Sequence, residues 1–256
     1  MVKKRVLFVG CSFTANSGFD NQNITKYHWP CLVSDYFDCY YQNAGIGGSS
    51  NEEIFYRTIE FTSGQLYDLV VIMWSGLGRK WIYFSEPNID DFTIVHPLAA
   101  GLSADSPEVR TFHKIYINHF NNRYVSLKHW LEQILCLQSY FASKSQSCVF
   151  IKGFDNFISD FDKIIYGQNG FENISDEIKT MLNFDNNPDY VLLNKVQSIQ
   201  QLIRQVDLHN WIDFKRFNFF GSTIDLADDQ SHPGPLTNHN MSFALIEHVK
   251  NRGILG

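Results

Sequence analysis

The run Asp68-Leu-Val-Val-Ile-Met-Trp74 limits the possible folds of this chain more than any other stretch. Its apolar residues follow one another without a polar face to turn to water, and Ser75-Gly-Leu-Gly78 ends them abruptly. A strand of that kind is covered on both sides, as a central strand of a parallel sheet is. Two other runs share the outline. Val6 to Val9 stops at Gly10-Cys11-Ser12, and Tyr40 to Asn43 runs into Ala44-Gly-Ile-Gly-Gly-Ser-Ser-Asn51. Open α/β sheets present their functional groups outside the carboxyl ends of the strands. Ser12 would stand at such an edge, although a serine there also serves as an ordinary helix cap.

Between these runs the spacing is helical. Leu32, Val33, Tyr36 and Phe37 share a face after Trp29-Pro30, where proline suits a first turn. Glu52 to Phe61 is anchored by Ile54, Ile59 and Phe61. From about Glu108 to Ser143 the pattern is helical again, with Val125, Leu127, Trp130, Leu131, Ile134, Leu137 and Phe141 recurring at spacings of three and four. Cys148 to Ile151 reads as a fourth strand, Val191 to Val206 as a helix, Trp211 to Phe214 as a short fifth strand, and Asn240 to Lys250 as a closing helix. Strands alternating with helices predict a parallel α/β sheet. Thr14 to Lys26 and residues 82–106 read as loops, the latter with prolines at 87 and 97. With no internal repeat or low-complexity linker, 1–256 is expected to be a single domain carrying an insertion around 155–190.

Composition excludes several classes of partner. A net charge of -6 argues against nucleic acid, whose phosphates call for a basic face, and Lys3-Lys4-Arg5 is too short to overturn that. The same cluster is followed by too few apolar residues for a secretory leader, and no run is long enough to span a bilayer. The five cysteines, at 11, 31, 39, 136 and 148, lack paired metal-ligand spacing. Free thiols, no metal site and a cytoplasmic location are therefore expected. No Gly-x-Gly-x-x-Gly opens a helix after the first strand and no Walker lysine is present, so no phosphate-bearing cofactor is expected.

Asp229 and His232 stand three residues apart before Pro233-Gly234. A carboxylate so placed can reach the imidazole Nδ1 in a tight loop, fixing the tautomer that leaves Nε2 outward as a base. Asp228 is a less well spaced competitor. His239 has no converging ligands and is expected to pack or face solvent. Cys11 reads as a small buried residue rather than a nucleophile.

Taken together, Gly10-Cys-Ser12-Phe-Thr14, Asn43-Ala-Gly-Ile-Gly-Gly48 and Asp229-Gln-Ser-His232-Pro233 resemble, in order, the first, second and last blocks of the SGNH (GDSL-like) hydrolase superfamily. They span nearly the whole chain, while residues 80–220 match only by element pattern. The resemblance implies a flavodoxin-like three-layer α/β/α sandwich with a central parallel sheet of about five strands. It implies Ser12 as nucleophile, His232 as base and Asp229 as the acid that orients it, with Gly48 contributing to an oxyanion hole and no cofactor. The third block departs from the family pattern. After the third strand the family has Gly-x-Asn, whereas Trp74-Ser75-Gly76-Leu77-Gly78-Arg79 contains no asparagine. Removing one oxyanion donor costs about 2.7–4 kcal/mol of transition-state stabilisation. Asn51 is the first candidate to replace it and Ser75 the second, although Asn51 also suits the cap of the following helix. Arg79 could hold an anionic substrate group or a surface ion pair.

The expected function is hydrolysis of an ester, an O-acyl group on a carbohydrate or another small acyl ester, through an acyl-enzyme on Ser12. The competing expectation is a hydrolase-like domain of impaired catalysis that binds carbohydrate or another partner. Retention of Ser12, Asp229 and His232 together favours the enzyme, since a binding module has no use for all three.

Overall fold

In chain order the elements are β1 (Arg5–Val9), α1 (Trp29–Tyr36), β2 (Tyr40–Asn43), α2 (Asn51–Ser63), β3 (Leu69–Trp74), β4 (Lys80–Tyr83), β5 (Phe92–Val95), α3 (Arg123–Ser143), β6 (Cys148–Lys152), α4 (Asp189–Gln205) and α5 (Pro235–Asn251). The computed structural model describes residues 3–15, 26–83, 92–95, 111, 115–116, 123–154, 189–212 and 219–255. It divides into two compact units, one of Met1–Gly76, Leu137–Asp155 and Asp207–Gly256, the other of Leu77–Cys136 and Asn156–Val206.

The first unit holds a four-stranded sheet in the order β2-β1-β3-β6, parallel at every pairing. Every residue of β3 and β6 is buried, as is β1 from Val6 onward, so these three strands are covered on both faces, whereas the edge strand β2 is exposed. That is the arrangement the unbroken apolar runs require, because successive side chains point to opposite faces. Trp29 of α1 meets Phe8 of β1 edge-on at 5.1 Å, and α1 packs against α5. Tyr140 of α3 meets α2 through Thr62 Oγ1, which donates to its phenol oxygen at 3.1 Å. The result is an α/β fold whose parallel sheet has, among the described residues, four strands rather than about five. Of the expected fifth, Trp211 to Phe214, the described residues are Trp211, which bridges Phe150 beyond the β6 edge, and Ile212, whose N–H donates to the Phe150 carbonyl at 3.2 Å.

The strand order turns around between β1 and β3: from β1 the chain moves to one edge, and from β3 to the other. In open α/β sheets the crevice beyond the carboxyl ends at this switch point is where ligands bind. Ser12 follows β1 and Ser75 follows β3, so the sequence candidates flank it.

In the second unit β4 and β5 form an antiparallel pair, with Lys80 opposite Val95 and Tyr83 opposite Phe92. This corrects the expectation of loop across 82–106, much of which lies outside the described residues. Phe92-Thr-Ile-Val95 is a run of aromatic and β-branched residues, and both prolines fall outside it. Leu127, Trp130, Leu131 and Ile134 of α3 are buried, as their spacing requires. Arg79 also belongs to this unit, partly buried just before β4. The stretch expected to be an insertion, around 155–190, lies outside the described residues except for Asp189 and Tyr190, which open α4. No helix among the described residues is long and apolar enough to cross a membrane.

Candidate active site

Ser12 sits in a single turn directly after β1, closed by the N–H groups of Thr14 and Ala15 donating to the Cys11 carbonyl at 2.9 and 3.0 Å. Gly10 permits the turn, since a Cβ there would lie 2.2 Å from Thr14 Oγ1. Ser12 is 7% exposed and Cys11 is fully buried, so the hydroxyl rather than the thiol borders solvent.

The loop after β2 is laid against this turn. A Cβ on Gly45 would come within 2.6 Å of the Ala15 nitrogen, an approach of backbone to backbone that any side chain would prevent. Asn43 Nδ2 donates to the Thr14 carbonyl at 2.5 Å, and the Ile46 N–H to the Gly10 carbonyl at 3.1 Å. Gly48 follows in the same loop with φ of 80°, a left-handed conformation that glycine adopts without strain. Arg57 of α2 braces the loop from behind, with Nη1 3.4 Å from both the Ala44 carbonyl and Ser49 Oγ, and is itself paired with the buried Glu53.

Asn51 is buried at the start of α2, and its carboxamide grips the exit of β3. Its Oδ1 accepts from the Ser75 N–H at 2.7 Å and its Nδ2 donates to the Ser75 carbonyl at 3.2 Å. These bonds use the amide oxygen and one of two N–H donors. The helix cap proposed for Asn51 belongs instead to Ser50, whose hydroxyl accepts from the Glu53 N–H at 3.2 Å. Ser75 is fully buried, held by its backbone beside Asn51.

Asp229 and His232 meet as the spacing predicts. Asp229 Oδ2 lies 2.5 Å from His232 Nδ1, while Oδ1 accepts the N–H groups of Ser231 and His232, each at 3.0 Å. Partial burial pulls the Asp229 carboxyl upward, but the hydrogen bonds from the Ser231 N–H, the His232 ring and the His232 N–H outweigh it and hold Asp229 well below the usual carboxylate range. Asp229 is therefore ionised at any physiological pH. Gln230 between them takes φ of 56°, which folds the loop back on itself. Asp228 is exposed, and Asp229 fills the role for which the two competed.

The loop is anchored by residues that give no local sequence signal. Asp225 accepts from the N–H groups of Leu236 and Thr237, both at 2.8 Å, so a carboxylate eleven residues upstream satisfies the start of α5. This cap and Pro235 in the first turn are why the helix begins at Pro235 rather than Asn240. His239 consequently lies within α5 and faces solvent. Among the described residues no group of three His, Cys, Asp or Glu side chains could hold a metal.

Two contacts relate the histidine loop to the serine turn. The ring of Phe13, next to Ser12, meets the His232 ring edge-on with centroids 5.7 Å apart. Below it, the Phe13 carbonyl lies 3.0 Å from His28 Nε2 and accepts from Trp29 Nε1 at 2.8 Å. Trp29 then donates its backbone N–H to Asn238 Oδ1 at 3.2 Å, and Asn238 Nδ2 donates to the carbonyls of Pro233 and Gly234 at 3.0 and 2.9 Å. Asn238, 2% exposed, thus ties the histidine loop to the start of α1, and the Trp29 indole carries the link on to the serine turn. Asn238, Trp29 and His28 carry no recognisable motif, and sequence reading missed all three.

Burial drives the His28 imidazole down to about 4, against a smaller upward pull from the Phe13 carbonyl. It is neutral in the fold, whereas an unfolded histidine begins to bind a proton near pH 6.5. The unfolded state therefore binds more protons below that pH, and stability falls as pH is lowered from about 6.5 to about 4. The full loss from this group is about 3 kcal/mol. Denaturant unfolding across that range is expected to show the slope in the wild type and a flatter curve in His28→Gln.

No protein-family model matches the sequence, and no curated protein does. Solved structures do show likeness over nearly the full chain. A catalytic mutant of Axe2, an acetylxylan esterase from Geobacillus stearothermophilus, is 12% identical with a TM-score of 0.47, covering 96% of this chain and 94% of its own. The psychrotrophic esterase EstA from Pseudoalteromonas sp. is 11% identical with a TM-score of 0.47, covering 97% and 98%. A lipase/acylhydrolase from Enterococcus faecalis is 12% identical with a TM-score of 0.42, covering 97% and 96%.

Proposed function

We propose that this chain is a serine hydrolase that cleaves an ester, the O-acyl group of a carbohydrate or another small acyl ester, through an acyl-enzyme on Ser12. The observation that carries the reading is the Asp229–His232 pair, in the same compact unit as Ser12 and one ring away from its turn. Ser12 Oγ attacks the acyl carbonyl and gives its proton to His232 Nε2. His232 passes that proton to the departing alcohol, then takes one from the water that releases the acid. Asp229 holds the imidazole by Nδ1 and balances the charge it gains.

The developing oxyanion is met by the backbone N–H groups of Ser12 and Gly48. The second N–H of Asn51 stands in for the asparagine absent after β3, and Ser75 aims it by fixing the rest of the carboxamide. Asn51→Ala is expected to lower turnover by roughly a hundredfold in a protein that still folds. An unchanged rate in that variant would remove Asn51 from the mechanism.

The reading is tested with p-nitrophenyl acetate under pre-steady-state conditions. Acylation of Ser12 should release one equivalent of nitrophenolate per protein in a burst, and Ser12→Ala should release none. A burst that survives in Ser12→Ala would contradict it. No burst at all, in folded protein, would favour the binding module.

A further inference from the structure

Four phenylalanines gather beside Ser12, and one is exposed. Phe13 lies 4.9 Å from Phe154, 5.5 Å from Phe219 and 5.9 Å from Phe220, centroid to centroid. Phe220 stacks on Phe13 at an interplanar angle of 8° and on Phe154 at 29°. Phe13 and Phe219 are buried, yet Phe220 is 48% exposed. The backbone holds the cluster in place: the Phe219 N–H donates to the Lys152 carbonyl at 2.8 Å and the Phe220 N–H to the Gly153 carbonyl at 2.9 Å. Gly153 allows this exit from β6, since a Cβ would lie 2.5 Å from the Trp74 carbonyl oxygen. The Phe220 ring is therefore a fixed, flat surface backed by other rings.

We propose that Phe220, backed by Phe13 and Phe154, is a stacking platform for a pyranose ring in the alcohol half of the substrate. This deepens the hydrolase reading and rests on it. An aliphatic acyl chain is bound by enclosure on several sides, which a half-exposed ring does not provide. A pyranose suits one-sided binding. Its C–H face carries slight positive charge toward the negative face of the aromatic ring, and its hydroxyls remain in water. Position selects the alcohol half. Phe13 touches both Phe220 and His232, and His232 is the group that hands a proton to the departing alcohol.

The test compares kcat/KM for O-acetylated methyl β-D-glucopyranoside with kcat/KM for ethyl acetate, as a ratio within each variant. The ratio cancels any general loss at Ser12. Phe220→Ala is expected to lower it about tenfold, mainly through KM, because a platform binds ground state and transition state alike. Phe220→Leu should fall as far, since it keeps apolar bulk without an aromatic face, and Phe220→Trp should retain the ratio. An unchanged ratio in Phe220→Ala would overturn the platform. So would a loss that follows acyl length, seen by comparing hexanoate with acetate esters of the same alcohol. If the wild type hydrolyses neither ester, the hydrolase reading fails, and the platform is judged by binding alone. Saturation-transfer NMR with methyl β-D-glucopyranoside should then mark one face of the ring in the wild type and lose that signal in Phe220→Ala. No transfer to the sugar would reject the platform as well.

Discussion

Asp229→Asn is expected to lower turnover by about ten-thousandfold while leaving the fold intact. The carboxylate does two things that an amide cannot. It accepts a hydrogen bond from His232 Nδ1–H, which keeps Nε2 available as the base, and it offsets the positive charge of the imidazolium. An asparagine can turn its N–H₂ toward Nδ1 and hold the ring in the wrong tautomer. Because Oδ1 accepts two backbone N–H groups of the loop, the amide oxygen of the variant still has a structural partner. The loss should therefore appear in kcat at temperatures where the variant remains folded. A loss of a few fold only would place the acid elsewhere. Asp228→Asn, in an exposed residue outside this network, serves as the control.

Asn238→Leu is the change expected to cost most in stability. Leucine fills a similar space, but the Trp29 N–H and the Pro233 carbonyl lose their partner in a region that excludes water. A buried backbone group left without a bond costs about 1–3 kcal/mol, so the pair should cost about 3 kcal/mol. The same bonds tie the Ser12 turn to the His232 loop, so acylation should slow at temperatures where the variant remains folded. Asn238→Asp separates the two effects, because it keeps an acceptor for Trp29 while removing both donors to the histidine loop. A folded Asn238→Asp that acylates at the wild-type rate would show that the tie has no bearing on the site.

The parts of this molecule that could be read from sequence are those whose cause is local. β3 is an unbroken apolar run, and its burial on both faces follows directly. The Asp229–His232 contact follows from spacing in a tight loop. What could not be read is set by residues far apart in the chain. Asp225 satisfies the start of α5 across eleven positions, which put the helix five residues earlier than its apolar spacing suggested. Trp29 and Asn238, which meet across 209 positions, look like an ordinary aromatic and an ordinary polar residue until the fold joins them. Asn51 was legible in part. Its nearness to the β3 exit follows from the loop it ends, but its engagement with the Ser75 backbone depends on how α2 packs. The β4–β5 pair was missed because prolines on both sides masked a short run with strong strand preference.

The central claim is that Ser12 is an activated nucleophile, and it can be tested without knowing the substrate. The protein is incubated with a fluorophosphonate and its intact mass is read, alongside Ser12→Ala and His232→Ala. A single adduct on Ser12, absent from both variants, is the predicted result. A folded wild type that gains no mass, or an adduct that persists in Ser12→Ala, would contradict it.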